Sequence, residues 1–174
     1  MIRELLSGVR EAYALCYPNR EVGLINRCSY QKRYIDNDGS WEREKIEDTG
    51  ICFGVAMMVQ DCLKLKFRVS CEIVYVYRRY DAEEGDGFED VLVHATLFYN
   101  GKFYDTDDYV GVERFEDLAY IRKFDGLGVQ MHYPSFPERG DSGSRDEIPN
   151  KITPVLYKAI ENIFSFDIPR RNVF

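Results

Sequence analysis

Three residue types that together perform nucleophilic catalysis occur in order along this chain: Cys52, His94 and Asp105. Cys52 lies in Thr49-Gly50-Ile51-Cys52-Phe53-Gly54-Val55-Ala56, where a loop runs into an apolar helical stretch. Val55, Ala56, Val59 and Leu63 follow it at helical spacing, so the cysteine opens the stripe that faces a core. Thr49 or Gly50 is the expected cap. A thiol in the first turn of a helix meets unpaired backbone N–H groups and the positive end of the dipole, and both favour the thiolate.

His94 is one of two histidines in the chain. It falls on an alternating strand in which Leu92, His94, Thr96 and Phe98 share a face. Asn100-Gly101 is a two-residue hairpin signal. Counting back from that turn sets Thr96 opposite Asp105 and His94 opposite Asp107, which puts both carboxylates on the imidazole's side. Asp105 is then diagonal to the ring and Asp107 directly across. Either can take a ring N–H and fix the tautomer. Thiol, imidazole and carboxylate make a nucleophile, a base and an orienting group.

The elements that must position them follow from pattern. Residues 2–16 form an amphipathic helix with Ile2, Leu5, Leu6, Val9 and Tyr13 on one side, stopped by Pro18-Asn19. The stretch 22–34 reads equally as strand or short helix. The Cys52 helix is expected to end near Lys64. Phe67–Tyr80 and Val91–Tyr99 are strands, with a solvated acidic loop at 81–90, and Lys102–Asp105 is the returning strand. A helix over Glu113–Phe124 is closed by Asp125-Gly126. Residues 133–150, rich in Pro, Gly, Ser and charge, are expected as a surface loop. Thr153-Pro154 caps and opens a last helix. The order predicts one α+β domain over 1–174, with an antiparallel sheet of three or more strands packed on the Cys52 helix and flanking helices.

A net charge of −7 argues against nucleic-acid binding by phosphate neutralisation. The cysteines at 16, 28, 52, 62 and 71 are odd in number and form no CxxC pair, so neither a disulfide framework nor a zinc site is indicated. Together with the lack of a signal-peptide pattern or a membrane-length apolar run, this predicts a soluble protein of a reducing cytosol, with no membrane partner. No cofactor is expected. Asp36-Asn37-Asp38-Gly39 and Asp105–Glu116 each begin like a calcium loop, but neither has glycine at the sixth position, so no metal site is predicted.

Gly50-Ile51-Cys52 with Ala56, then His94-Ala95, then Gly101-Lys102-Phe103-Tyr104-Asp105, resembles the core of the transglutaminase-like and papain-like cysteine enzymes over roughly residues 49–108. In that superfamily a cysteine at a helix tip packs on an antiparallel sheet whose adjacent strands carry His and Asp. The resemblance favours Asp105 over Asp107. It also implies an acyl-enzyme route on a protein, peptide or other amide-containing substrate, as hydrolase or acyltransferase. Thr96 stands where the family often has Trp. An oxyanion donor is expected from the backbone at Cys52 and from Asn26, Gln31 or Trp41.

Simpler roles compete. Buried cysteine is common packing material, and that is the reading for Cys16, Cys28, Cys62 and Cys71. A strand histidine is ordinarily structural. Gly140-Asp141-Ser142-Gly143 looks like a serine-protease nucleophile segment, but the chain is too short for two β-barrels and the segment falls in a polar loop. The functions that compete with a thiol enzyme are a non-catalytic binding or assembly protein on this scaffold and a small acidic inhibitor.

Overall fold

The computed structural model describes residues 1–26, 51–81, 88–124, 130–132 and 152–168. The first helix, α1 (Ile2–Cys16), buries Ile2, Leu5, Leu6, Val9, Ala12 and Tyr13, the face its spacing predicts. Residues Val22–Asn26 then make a 3₁₀ turn, which decides the start of the stretch left open between strand and helix. The remainder of that stretch, the Asp36–Gly39 turn and the expected caps Thr49 and Gly50 lie outside the described residues.

Helix α2 (Cys52–Phe67) does open at Cys52. It runs a turn past Lys64 because the chain reverses only at Arg68, whose φ of 58° is left-handed. Strand β1 (Glu72–Asp81) therefore starts later than Phe67, which is the last helical residue. Strand β2 (Phe88–Tyr99) starts earlier than Val91 and takes up part of the acidic segment. Asn100 and Gly101, at φ 48° and 74°, form the tight turn that this pair favours, and β3 (Lys102–Tyr104) returns. A short strand β4 (Gln130–His132), unmarked by any residue pattern, pairs with the far side of β1.

The sheet is antiparallel in the order β3-β2-β1-β4. One irregularity interrupts the β1–β2 ladder. Val76 pairs with His94, but Tyr77 pairs with Leu92, so Val93 is an extra residue directly before the histidine.

The expected helix over Glu113–Phe124 is broken. Phe115–Asp117 is a 3₁₀ turn, Leu118 takes an extended ψ of 131°, and only α3 (Ala119–Arg122) is α-helical. Burial explains the break, since Phe115, Leu118 and Tyr120 all reach the sheet from this short segment. The last helix, α4 (Pro154–Phe164), begins as its sequence predicts, with the Thr153 hydroxyl accepting from Leu156 N at 3.2 Å.

Two hydrophobic clusters cover the two sides of the sheet. The larger joins α1, α2 and α4 to Ala95, Leu97 and Tyr104, with Ile73 and Tyr75 packed against it. The smaller consists of Val76, Phe103, Phe115, Leu118 and Tyr120, with Val74 and Phe98 at its margin. Val59, Leu63, Leu97 and Ile160 are almost wholly buried, and each contributes about 1.5–3 kcal/mol by leaving water. Among the described residues, no helix is long and apolar enough to cross a membrane.

Candidate active site

The carboxylate comes from the point where β3 ends. Beyond Tyr104 the ladder stops and the chain turns, with Thr96 Oγ1 donating to the Tyr104 carbonyl at 2.7 Å. Asp105 holds that turn. Its Oδ1 accepts from the backbone N–H groups of Asp107 and Asp108, each at 2.8 Å. Its other oxygen, Oδ2, lies 2.9 Å from His94 Nε2. Burial pushes the Asp105 carboxyl up, but the His94 hydrogen bond, the His94 charge and the two backbone donors outweigh it, and the group is held below the usual carboxylate value of 3.8.

An ionised carboxylate can only accept, so Nε2 carries a proton towards it, and in the neutral ring the lone pair is on Nδ1. His94 is 0% exposed, and its Nδ1 has no hydrogen-bond partner. The Tyr120 ring stacks on the imidazole with centroids 4.3 Å apart and planes 20° from parallel. The imidazole is thus clamped by a carboxylate and a ring, with its basic nitrogen unused.

Of the two aspartates weighed for this role, Asp107 is excluded. Strand β3 ends before it can reach the position across from His94, and its Oδ1 instead accepts from Arg10 Nη1 at 2.8 Å. The same nitrogen donates to the Thr106 carbonyl at 2.6 Å.

Cys52 is in the first helical turn and 3% exposed. Together with Asn26, Ala95, Leu97, Asp105 and Thr106 it lines a recess. Asn26 is fixed beside it because Ile51 N donates to the Ile25 carbonyl at 3.0 Å, which ties the residue before the thiol to the residue before the amide. Asn26 Oδ1 accepts from Thr106 Oγ1 at 2.8 Å, while the buried Nδ2 has no partner. Of the three oxyanion candidates, Asn26 is therefore at the thiol's recess with an unused donor. Gln31 and Trp41 lie outside the described residues, as do Cys28 and the Gly140–Gly143 segment.

The direct thiol–imidazole contact expected from the residue types is not formed, because Nδ1 has no partner. Strand alternation supplies the reason. Ala95 and Leu97, which share the recess with Cys52, point into the helix-covered cluster, whereas His94 pairs with Val76 and stacks on Tyr120 of the other cluster. Asp105 is the common neighbour, lining the recess and binding the imidazole. The recess has a cavity volume of about 10 Å³, the lower limit for one water molecule.

Two other buried thiols, Cys62 and Cys71, are disfavoured as thiolates. Burial, reinforced by Asp61, pushes Cys62 up to about 12. Burial, reinforced by Glu72 and Asp61, pushes Cys71 up to about 11.

Comparison with protein-family models, with curated proteins and with solved structures gives no match.

Proposed function

We propose that the protein is a thiol-dependent hydrolase or acyltransferase of the transglutaminase-like or papain-like kind. Cys52 attacks an acyl or amide carbonyl, forming a thioester, and its proton passes to His94 Nδ1. The protonated imidazole then returns that proton to the departing amine or alcohol. Asp105 orients the ring and stabilises the imidazolium. Asn26 Nδ2 and the N–H groups at the start of α2 receive the oxyanion. Water or an amine resolves the thioester.

One observation carries the reading: a wholly buried imidazole that spends Nε2 on a carboxylate and leaves Nδ1 unpaired. A histidine kept only for structure would ordinarily satisfy both nitrogens. Sulfur and Nδ1 lie towards opposite faces of the sheet. For the chemistry to run, the Asp105 edge and the imidazole must therefore rearrange together with the first turn of α2, in a movement that also admits substrate.

The test is the rate of Cys52 alkylation by iodoacetamide at neutral pH. It should exceed that of an ordinary thiol and fall in His94→Ala. A rate that is ordinary in both proteins overturns the enzyme. The closed recess and the buried sulfur favour a second reading, a non-catalytic binding or assembly protein that keeps the scaffold. Such a protein would give that ordinary rate.

A further inference from the structure

We infer that Arg10, on the first helix, is a positioning residue for His94, acting through the turn that carries Asp105. The carboxylate that orients the imidazole sits one residue beyond the end of its strand, where no ladder partner holds it. The turn needs outside fastening. Some comes from the Phe103–Val112 bridge behind it and from the Thr106–Asn26 hydrogen bond. Among the contacts of the described residues, Arg10 is the charged side chain that hydrogen-bonds this turn from another element, while Arg122 of α3 acts on Asp108 through its charge.

Its Nη1 donates at once to the Thr106 carbonyl, 2.6 Å away, and to Asp107 Oδ1, 2.8 Å away, so it grips the two residues directly after Asp105. The guanidinium also lies over the Tyr109 ring, 5.7 Å from its centroid. These contacts bridge 96 and 97 residues of chain, which makes them tertiary fastenings rather than local turn geometry. Charge adds a second reason. Asp105, Asp107 and Asp108 fall within four residues, and Asp108 Oδ2 accepts from Ala119 N at 2.6 Å at the start of the helix that carries Tyr120. Arg10 offsets one of three crowded carboxylates, so the other two can hold the imidazole's edge and the segment over its face.

The base role of His94 rests on the proposed function; its positioning by Arg10 does not, and the experiment separates them. With only two histidines in the chain, ¹⁵N imidazole spectra can be assigned using a His132→Gln variant. The wild-type protein should show His94 in the single Nε2–H tautomer. Arg10→Met should give mixed tautomers and a several-fold slower Cys52 alkylation. Arg10→Lys, which keeps the charge, should restore the tautomer in part. Asp107→Asn, which loosens one of the two contacts, should move it in the same direction and serves if Arg10→Met does not fold. An unchanged single tautomer in folded Arg10→Met, or in Asp107→Asn if Arg10→Met is unfolded, overturns the positioning role even where Cys52 remains reactive. A shifted tautomer over an unreactive Cys52 supports the positioning role and sinks the enzyme reading instead.

Discussion

The two sides of the sheet are closed by different materials. On one, three long helices press aliphatic side chains against Ala95 and Leu97. On the other, a short broken segment lays Phe115, Leu118 and Tyr120 over Val76 and Phe103. The thiol belongs to the first side and the imidazole to the second. Continuous helix packing fixes the position of α2 as a body but leaves the sulfur at its tip in a recess with an unused amide. The aromatic side instead determines one ring closely, by a stack above and a carboxylate at the edge. The candidate residues are thus divided between the two faces of the sheet, with Asp105 reaching both.

The comparison can be broken most decisively at the sulfur. On the proposed reading, Cys52→Ala should abolish acyl transfer while keeping a cooperative melt, because little volume is lost at a helix end; a protein that no longer folds would make Cys52 a packing residue. Next in size is the carboxylate. Asp105→Ala leaves Nε2 and two backbone N–H groups without their acceptor, and should cost about 3 kcal/mol or more in urea denaturation. A loss below 1 kcal/mol would mean that the turn does not depend on this side chain.

Acid titration sharpens the same point. Asp105 is held below its ordinary value, so its contribution is fully present above about 3.8 and lost as pH falls further, through the folded value. Asp108 has the opposite sign. Burial pushes it up, Ala119 N pulls it down, and the neighbouring Asp105 and Asp107 push it up again, so charging it costs the folded state stability as pH rises through its raised value. Thermal melts of Asp108→Asn should therefore gain on the wild type at neutral pH and converge with it in acid. A variant that loses stability at neutral pH would show the Ala119 contact to outweigh the crowding of charge.

The smallest effect lies on the helical side, away from the site. Thr153→Ala should remove the cap of α4 and cost about 1 kcal/mol without altering Cys52 labelling. A change in labelling would mean that the α4 part of the helical cluster is coupled to the tip of α2.

Much of this was readable from spacing. Val55, Ala56, Val59 and Leu63 marked the buried side of α2, Asn100-Gly101 fixed the turn, and counting from it put an aspartate beside His94. The count chose between Asp105 and Asp107 only once β3 was seen to end at Tyr104. The side on which α2 packs was not readable, because Ile73 and Tyr75 are as apolar as Val74 and Val76 and the alternation has no polar face to betray it. The extra residue Val93 left no mark in a run of β-branched and aliphatic types. The segment 113–124 looked helical because its apolar spacing suits a helix, yet burial of three of its residues on the sheet overrode that preference. Arg10 lay 96 residues from its partner, beyond the reach of any local pattern.

The hydrogen bond from Ile51 to Ile25 makes neighbours of two positions that the chain visits 26 residues apart. Whatever length of polypeptide runs between Asn26 and Ile51, sulfur and amide are held together at its exit and entry. Lengthening such an excursion adds only slowly to the entropy of closing it. The closeness of sulfur and amide is accordingly set by the pairing at the two ends of that separation.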